Sequence, residues 1–438
     1  MCGLLAGLGS AAIAQEPPAG DETPPVKEAR TDLHFQLTTV TQWHPGFDAL
    51  YSGQNSMSPD AEHDTTVTST LFLGARLWKG AEFYVNPELS GGSGLSKTLG
   101  IAGFPNGEAF RVGDPEPRVF LARMMLRQTF GIGSETEAVD EDANQLAGRV
   151  PVRRFTITAG RFTVTDFFDG NDWSHDPRTQ FMNWADWIGA AWDYSADTRG
   201  YTWGWVAEYH DADWSTRFGA TAQPKVANGN QFDHDLLHAY ELTGEFEHDY
   251  ELGGSKGDAK VLLFYNRAPM GNYREAIEEA DGQPPDVTAT RRPGRVKWGA
   301  VINLSQPITP SLGLFLRGSW NDGHNEAWAY AEIERSFTVG GLWKAPFSSR
   351  PADSLGAAFV VNGLSKDHRD YLAAGGYGFM IGDGRLSYGL ETISEVFYQA
   401  ALHEHVWLAA DYQFVANPAY NRDRGPVHVL GARLHAEF

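Results

Sequence analysis

Residues 427 to 438 constrain this chain most. Phe438, Ala436, Leu434, Ala432 and Leu430 fall on one face of an extended strand, and Glu437, His435, Arg433 and Gly431 on the other. An apolar–polar period of two that ends on an aromatic residue is the pattern of the closing strand of a membrane β-barrel. One face then meets lipid and the other a watery lumen. A soluble edge strand alternates in the same way, so this pattern alone leaves both solvents open.

The alternation recurs along the chain. Phe83, Val85 and Leu89 oppose Glu82, Tyr84, Asn86 and Glu88; Tyr240, Leu242 and Phe246 oppose Glu241, Thr243, Glu245 and Glu247. Tyr201, Trp203, Trp205 and Tyr209 share a face with Glu208 on the other, and Leu312, Leu314 and Leu316 oppose Phe315, Arg317 and Ser319. Leu408, Ala410, Tyr412 and Phe414 oppose His405, Asp411 and Gln413. Each run matches the roughly 9–11 residues that a tilted strand needs to cross a bilayer, and counting them predicts about 16 strands. No stretch approaches the roughly 20 apolar residues of a spanning helix. In lipid an unpaired strand edge leaves its N–H and C=O groups without water, so the strands must close on themselves. The predicted fold is all-β, a transmembrane antiparallel up-and-down β-barrel whose lumen is narrowed by inward-folded loops.

Residues 1–14 read as a signal peptide truncated at its start, with Ala12-Ile13-Ala14 as the cleavage site and no basic residues ahead of the apolar run. The single cysteine, Cys2, lies before that cut, so the mature chain has no thiol for a disulfide or a thiolate metal site. Residues 15–30 form a flexible Pro-rich acidic lead-in, and 31–438 the barrel. A net charge of −21 makes nucleic acid an improbable partner. Two segments are too long for tight turns, acidic 131–151 and Pro-rich 268–294, and both are expected as extracellular loops. The acidic run Glu135, Glu137, Asp140, Glu141 and Asp142 reads as a solvated loop, or as a divalent-ion bridge at a lipopolysaccharide surface.

One segment mixes carboxylates, bases and aromatics densely. It runs Gly160-Arg161-Phe162, Asp166-Phe167-Phe168-Asp169-Gly170-Asn171-Asp172, then His175-Asp176-Pro177-Arg178-Thr179-Gln180-Phe181-Met182-Asn183-Trp184-Ala185. With Asn86-Pro87-Glu88, Gly103 to Glu108, Ala196 to Tyr201, Asp411-Tyr412-Gln413, Asn417-Pro418 and Arg424-Gly425-Pro426, it resembles the OprB-type carbohydrate-selective porins from about Thr31 to Phe438. The resemblance implies a 16-stranded barrel in the bacterial cell outer membrane. It further implies passive diffusion of mono- and small oligosaccharides into the periplasm, with no cofactor. Periodicity alone indicates only a barrel.

A sugar channel needs carboxylates, guanidinium groups and amides to replace the hydration of hydroxyls, and aromatic faces to cover C–H surfaces. Asp166, Asp169, Asn171, Asp172, Trp173, His175, Asp176, Arg178 and Trp184 supply both and are the candidate constriction. The bland alternative is that they only brace a loop through mutual ion pairs. Glu88, Arg123, Arg127, Glu241, Glu245, Arg317 and Glu391 occupy the polar parity of their strands and are expected to line the lumen. Trp203, Trp205, Tyr209, Trp343 and Phe438 are expected in the membrane girdle, touching outer-membrane lipid and lipopolysaccharide. The family context adds recognition of the terminal strand by the barrel-assembly machinery. Monomer and homotrimer both remain open.

Two alternatives are a general diffusion porin without sugar preference and a secreted all-β carbohydrate-active enzyme. His403-Glu404-His405 lacks the spacing of a helical zinc motif, and Asp169-Gly170-Asn171-Asp172 departs from a calcium loop, so no metal site is expected.

Overall fold

The computed structural model describes residues 28–109, 115–330 and 332–438. The proposed signal segment 1–14 and most of the lead-in 15–30 lie outside them. The strands are β1 (Thr31–His44), β2 (Glu62–Trp78), β3 (Ala81–Gly92), β4 (Arg118–Gly131), β5 (Thr136–Val139), β6 (Gly148–Pro151), β7 (Arg154–Phe162), β8 (Thr202–His210) and β9 (Trp214–Ala222). They continue as β10 (Tyr240–Leu252), β11 (Ser255–Ala268), β12 (Arg295–Thr309), β13 (Leu312–Asn321), β14 (Arg335–Lys344), β15 (Ser354–Gly363), β16 (Glu391–His403), β17 (Val406–Ala416) and β18 (Val427–Glu437). All but β5 and β6 join one closed antiparallel barrel of 16 strands. Each strand pairs with the next, β4 pairs directly with β7, and β18 closes on β1 through Gln36↔Glu437 to Trp43↔Leu430. Closure satisfies every edge, as lipid demands.

Strand direction alternates, so the connections sort onto two ends. One end carries both barrel termini and the turns 79–80, 253–254, 310–311 and 404–405. The other carries 45–61, 93–109 with 115–117, 163–201, 223–239, 269–294, 322–330 with 332–334, 364–390 and 417–426. Outer-membrane barrels keep short turns on the periplasmic side and long loops outside, which orients the chain. Among the described residues three short α-helices lie in the long loops, α1 (Trp184–Trp187), α2 (Tyr273–Glu279) and α3 (Lys366–Ala373).

That parity corrects one expectation. Segment 131–151 joins β4, which descends, to β7, which ascends, so it lies on the periplasmic end and folds as the β5–β6 hairpin. The lipopolysaccharide-bridging reading of its acidic run falls with it. Segment 268–294 lies on the extracellular end, as expected.

The outward face carries the apolar belt. Trp203 and Trp205 at 42% exposure, Trp343 at 44% and Phe438 at 62% all point away from the lumen. The rings cluster near the two interfaces, Trp43, Trp203, Trp298 and Trp320 at the outer end and Trp78, Trp214 and Trp343 at the inner. Tyr209 points outward beside Trp214, ring centroids 5.1 Å apart. Tyr201 does not follow Trp203 outward: it precedes β8 and turns into the lumen at 6% exposure.

The inward face is less polar than alternation predicts. Leu262, Phe264, Val301, Ile393, Val415 and Val427 point inward and are buried with Phe168, Ile188 and Trp192 of loop 163–201. The upper lumen is therefore a packed layer between wall and folded-in loops. Apolar inward residues bury area against those loops, at about 25 cal/mol per Å² removed from water.

Candidate constriction site

Loop 163–201 enters the lumen because the wall reaches in to hold it. Its first turn is a capping box: Asp166 accepts from the Thr163 N–H at 3.3 Å and takes a bidentate pair from Arg123, Nε to Oδ2 at 2.7 Å and Nη2 to Oδ1 at 2.6 Å. Deeper in, Asp169 adopts φ +58° and is buried at 1% exposure. Its carboxylate lies 3.3 Å from Arg317 Nε, and it accepts from Asn303 Nδ2 at 2.7 Å and the Gly189 N–H at 2.6 Å. Asn171 donates to Asn303 Oδ1 at 2.7 Å. Arg317 also donates to the carbonyls of Ser174 at 2.6 Å and Asp186 at 3.2 Å.

Wall carboxylates complete the latch by accepting loop backbone N–H groups. Glu395 takes Met182 and Asn183 at 2.6 and 2.9 Å; Glu391 takes Ala102, Gly103 and Ala419 at 3.0, 2.8 and 2.8 Å. Glu245 takes Asp169 at 2.7 Å, and Glu241 takes the Trp192 indole at 2.9 Å and the Ser195 N–H. A buried backbone donor without such a partner costs about 1–3 kcal/mol, so each acid holds its loop firmly. Glu241, Arg317 and Glu391 thus point inward as expected but do not line the open lumen, because loop backbone covers them. Glu88, Arg123, Arg127 and Glu245 do line it.

The remaining cavity is about 2430 Å³ and runs from the periplasmic turns at Gly80 and Pro310 to the extracellular-loop residues Phe104 and Tyr330. That exceeds the roughly 300–1,000 Å³ of a fitted ligand pocket and suits a hydrated passage. Of the nine loop residues singled out from sequence, Asp166, Asn171, Asp172, Trp173, His175, Asp176, Arg178 and Trp184 border it. Asp169 does not; it is a buried anchor. Asp176 also braces its own turn, accepting from the Arg178 N–H at 2.9 Å and Thr179 Oγ1 at 3.0 Å.

Arg178 is the polar hub. Its Nε donates to Glu108 at 2.9 Å, Nη1 to Gln36 at 2.8 Å, and Nη2 to Glu88 at 3.4 Å. Glu88 also accepts from Thr70 at 2.6 Å and from the Tyr201 hydroxyl at 3.2 Å. Arg123 lies 5.4 Å from the Tyr201 ring centroid, and Arg199 caps the edge by donating to Ser90 Oγ at 2.6 Å. Burial opposes the charge on Arg178, but Glu108 and Glu88 outweigh it and keep it protonated well above the usual arginine range. Burial pushes the Asp172 carboxyl up, while burial and then the Arg317 charge push His175 down.

An aromatic cluster stands beside this hub. Asn183 caps α1 by accepting from the Ala185 N–H at 2.9 Å. Trp184 then stacks on Phe104 at 5.0 Å and meets Trp187, Tyr194 and Tyr330 at 5.0, 5.9 and 5.2 Å. Gly107 joins the two groups: a methyl there would sit 2.6 Å from Trp187 Nε1 and 3.0 Å from Pro177 Cβ. Only glycine lets the ring and the Arg178 turn approach so closely. On the far side Trp173 lies over Gly313, where a methyl would fall 1.8 Å from the ring, and Lys344 sits 4.7 Å from the Trp173 ring centroid.

Sequence reasoning missed Gln36, Glu108, Arg199, Tyr201, Tyr194 and Tyr330 as lumen residues. Glu108, Arg199 and Tyr201 stood inside the motifs that carry the family resemblance, which was the available signal. Gln36, Tyr194 and Tyr330 carry none.

The sequence profile described as carbohydrate-selective porin, OprB family, matches residues 54–438. Among solved structures, the high-pH form of Pseudomonas putida OprB aligns with a TM-score of 0.70 at 16% identity, over 93% of this chain and 94% of that one. The low-pH form gives 0.51 at 12% identity, over 93% of each chain. The outer membrane channel DcaP of Acinetobacter baumannii gives 0.52 at 11%, over 94% of this chain and 100% of that one. At these identities the structural likeness speaks for the fold. No curated protein sequence matches the chain.

Proposed function

Because the chain belongs to the OprB family of carbohydrate-selective porins, we propose that its sugar is gripped where Arg178, Glu88 and Glu108 face the Trp184 cluster. Family and fold make the protein an outer-membrane carbohydrate porin, a channel rather than a soluble protein. The finer reading is the place and chemistry of the grip. The observation that carries it is one Arg178 guanidinium shared among Glu88, Glu108 and Gln36, beside five packed aromatic rings.

A sugar entering from outside loses water at its hydroxyls. Arg178 donates to hydroxyl oxygens, and Glu88, Glu108 and Gln36 accept hydroxyl protons. The rim of the aromatic cluster meets the apolar C–H face through partly exposed Tyr330, with Trp184, Phe104 and Tyr194 packed behind it. Because these groups already bond one another, each contact to sugar replaces an existing one, and net binding stays weak enough for release. Movement is passive, down the concentration gradient, with no cofactor and no bond made or broken. The terminal strand β18, followed by outward Phe438, is the element offered to the assembly machinery.

Planar-bilayer recording with glucose and maltooligosaccharides tests this reading. Open current that falls saturably with one sugar class supports it. Steady current with no sugar block would leave a general diffusion pore.

A further inference from the structure

The β5–β6 hairpin enters the lumen from the periplasmic end. Its tip turn, Asp142 to Gln145, is closed by reciprocal backbone bonds of 3.0 and 2.9 Å, with Asn144 at φ +60°, a conformation that asparagine tolerates. Arg127 Nη1 donates to the Asn144 carbonyl at 3.2 Å, and Asn86 Nδ2 to Asn144 Oδ1 at 2.9 Å. Leu146 is buried at 2% exposure in the same apolar cluster as the inward side chains Tyr84 and Met125. On the β1 side Glu141 lies 3.6 Å from His34, and the Ala147 carbonyl accepts from the Ala29 N–H at 3.0 Å. The segment therefore crosses the inner wall from β4 to β1. Its other face is open: Asp142, Ala143, Asn144 and Gln145 border the cavity.

Its height matters. Asn86 and Glu88 are consecutive inward residues of β3, about 7 Å apart along the strand. The tip thus reaches to within one inward step of the Arg178–Glu88 pair, along the same wall but from the opposite end of the barrel.

We propose that residues 132–153 are a second pore-lining element, a periplasmic narrowing through which solute leaves after passing Arg178. The extracellular loops and this hairpin together give the passage an entry contact and an exit contact, the latter acidic at Asp142 and amide-lined at Asn144 and Gln145. A solute that clears the constriction meets these groups before open periplasmic water. The inference rests on the pore reading above.

Ala143, exposed and small, is the probe position. In a Cys2→Ser background, Ala143→Cys is reconstituted in a planar bilayer and treated with cationic and anionic methanethiosulfonate reagents. The expected result is a stepwise loss of single-channel current on modification, with the two reagents shifting cation-over-anion permeability in opposite directions. Replacing 138–148 with a short Gly-Gly turn is expected to raise open current while leaving the half-blocking sugar concentration unchanged. Full current after modification verified by mass spectrometry, or unchanged current in the shortened variant, would overturn the proposal. A protein that folds but conducts no current before modification would overturn the pore reading itself, and the proposal with it.

Discussion

The guanidinium of Arg317 on β13 lies 3.3 Å from the carboxylate of Asp169 on loop 163–201, with both side chains 1% exposed. Removing one partner of such a pair leaves a buried charge and costs about 3–5 kcal/mol. Arg317→Met should therefore lower the unfolding temperature in detergent and release the loop, with a larger open current. Arg317→Met combined with Asp169→Asn should recover much of the stability. Circular-dichroism melts and bilayer current of the three proteins check this.

Acid–base behaviour gives a second expectation. The Asp186 carboxyl is pushed up to about 7, chiefly by burial, with nearby Asp411 acting in the same direction and Glu395 and Arg317 acting against it. Burial pushes Glu332 up to about 7 as well, against the pull of His368. The folded protein holds protons on these groups where the unfolded chain has lost them. Their contribution is thus most favourable below about pH 4 and is lost as pH rises from there to about 7. Asp186→Asn should flatten the fall of unfolding temperature across that window; an unchanged slope would contradict the assignment.

Steric fit at the far wall gives a third. A methyl at Gly313 would fall 1.8 Å from the Trp173 ring, so Gly313→Ala must displace the ring or the loop. Overpacking of this kind typically costs about 1–3 kcal/mol. Gly313→Ala combined with Trp173→Leu should relieve the clash, and thermal melts of the single and double variants read it.

The polar and aromatic sides of the constriction are separable. Tyr201→Phe removes one hydroxyl bond to Glu88 and keeps the ring, a loss of about 0.5–1.5 kcal/mol. Trp184→Phe keeps an aromatic face of smaller area beside Phe104. Each should weaken sugar block severalfold, measured as the half-blocking concentration, with folded yield retained.

Much of this architecture was legible in the sequence. Alternation in β3, β10, β17 and β18 told inward from outward, and the aromatic belt followed from parity. The loop 163–201 stood out by its mixture of charge and aromatics. What escaped reading depends on three-dimensional closure. The side on which 131–151 lies follows from strand count, which one local segment does not carry. Tyr201 departs from the parity of Trp203 because β8 begins one residue later. Glu241, Glu391 and Arg317 point inward as read, yet only the folded-in loops show them as latches rather than lining. The apolar inward residues Leu262 and Phe264 make sense only once Phe168 and Trp192 occupy the lumen.

Arg178 holds the central claim. The decisive measurement is single-channel current of the protein and of Arg178→Ala, with glucose and maltooligosaccharides added in steps. Saturable block of the parent is predicted. In the variant, open current should be larger and the half-blocking concentration about tenfold higher, as the loss of a charged hydrogen-bond donor implies. Identical open current and identical block in the two proteins would contradict the account.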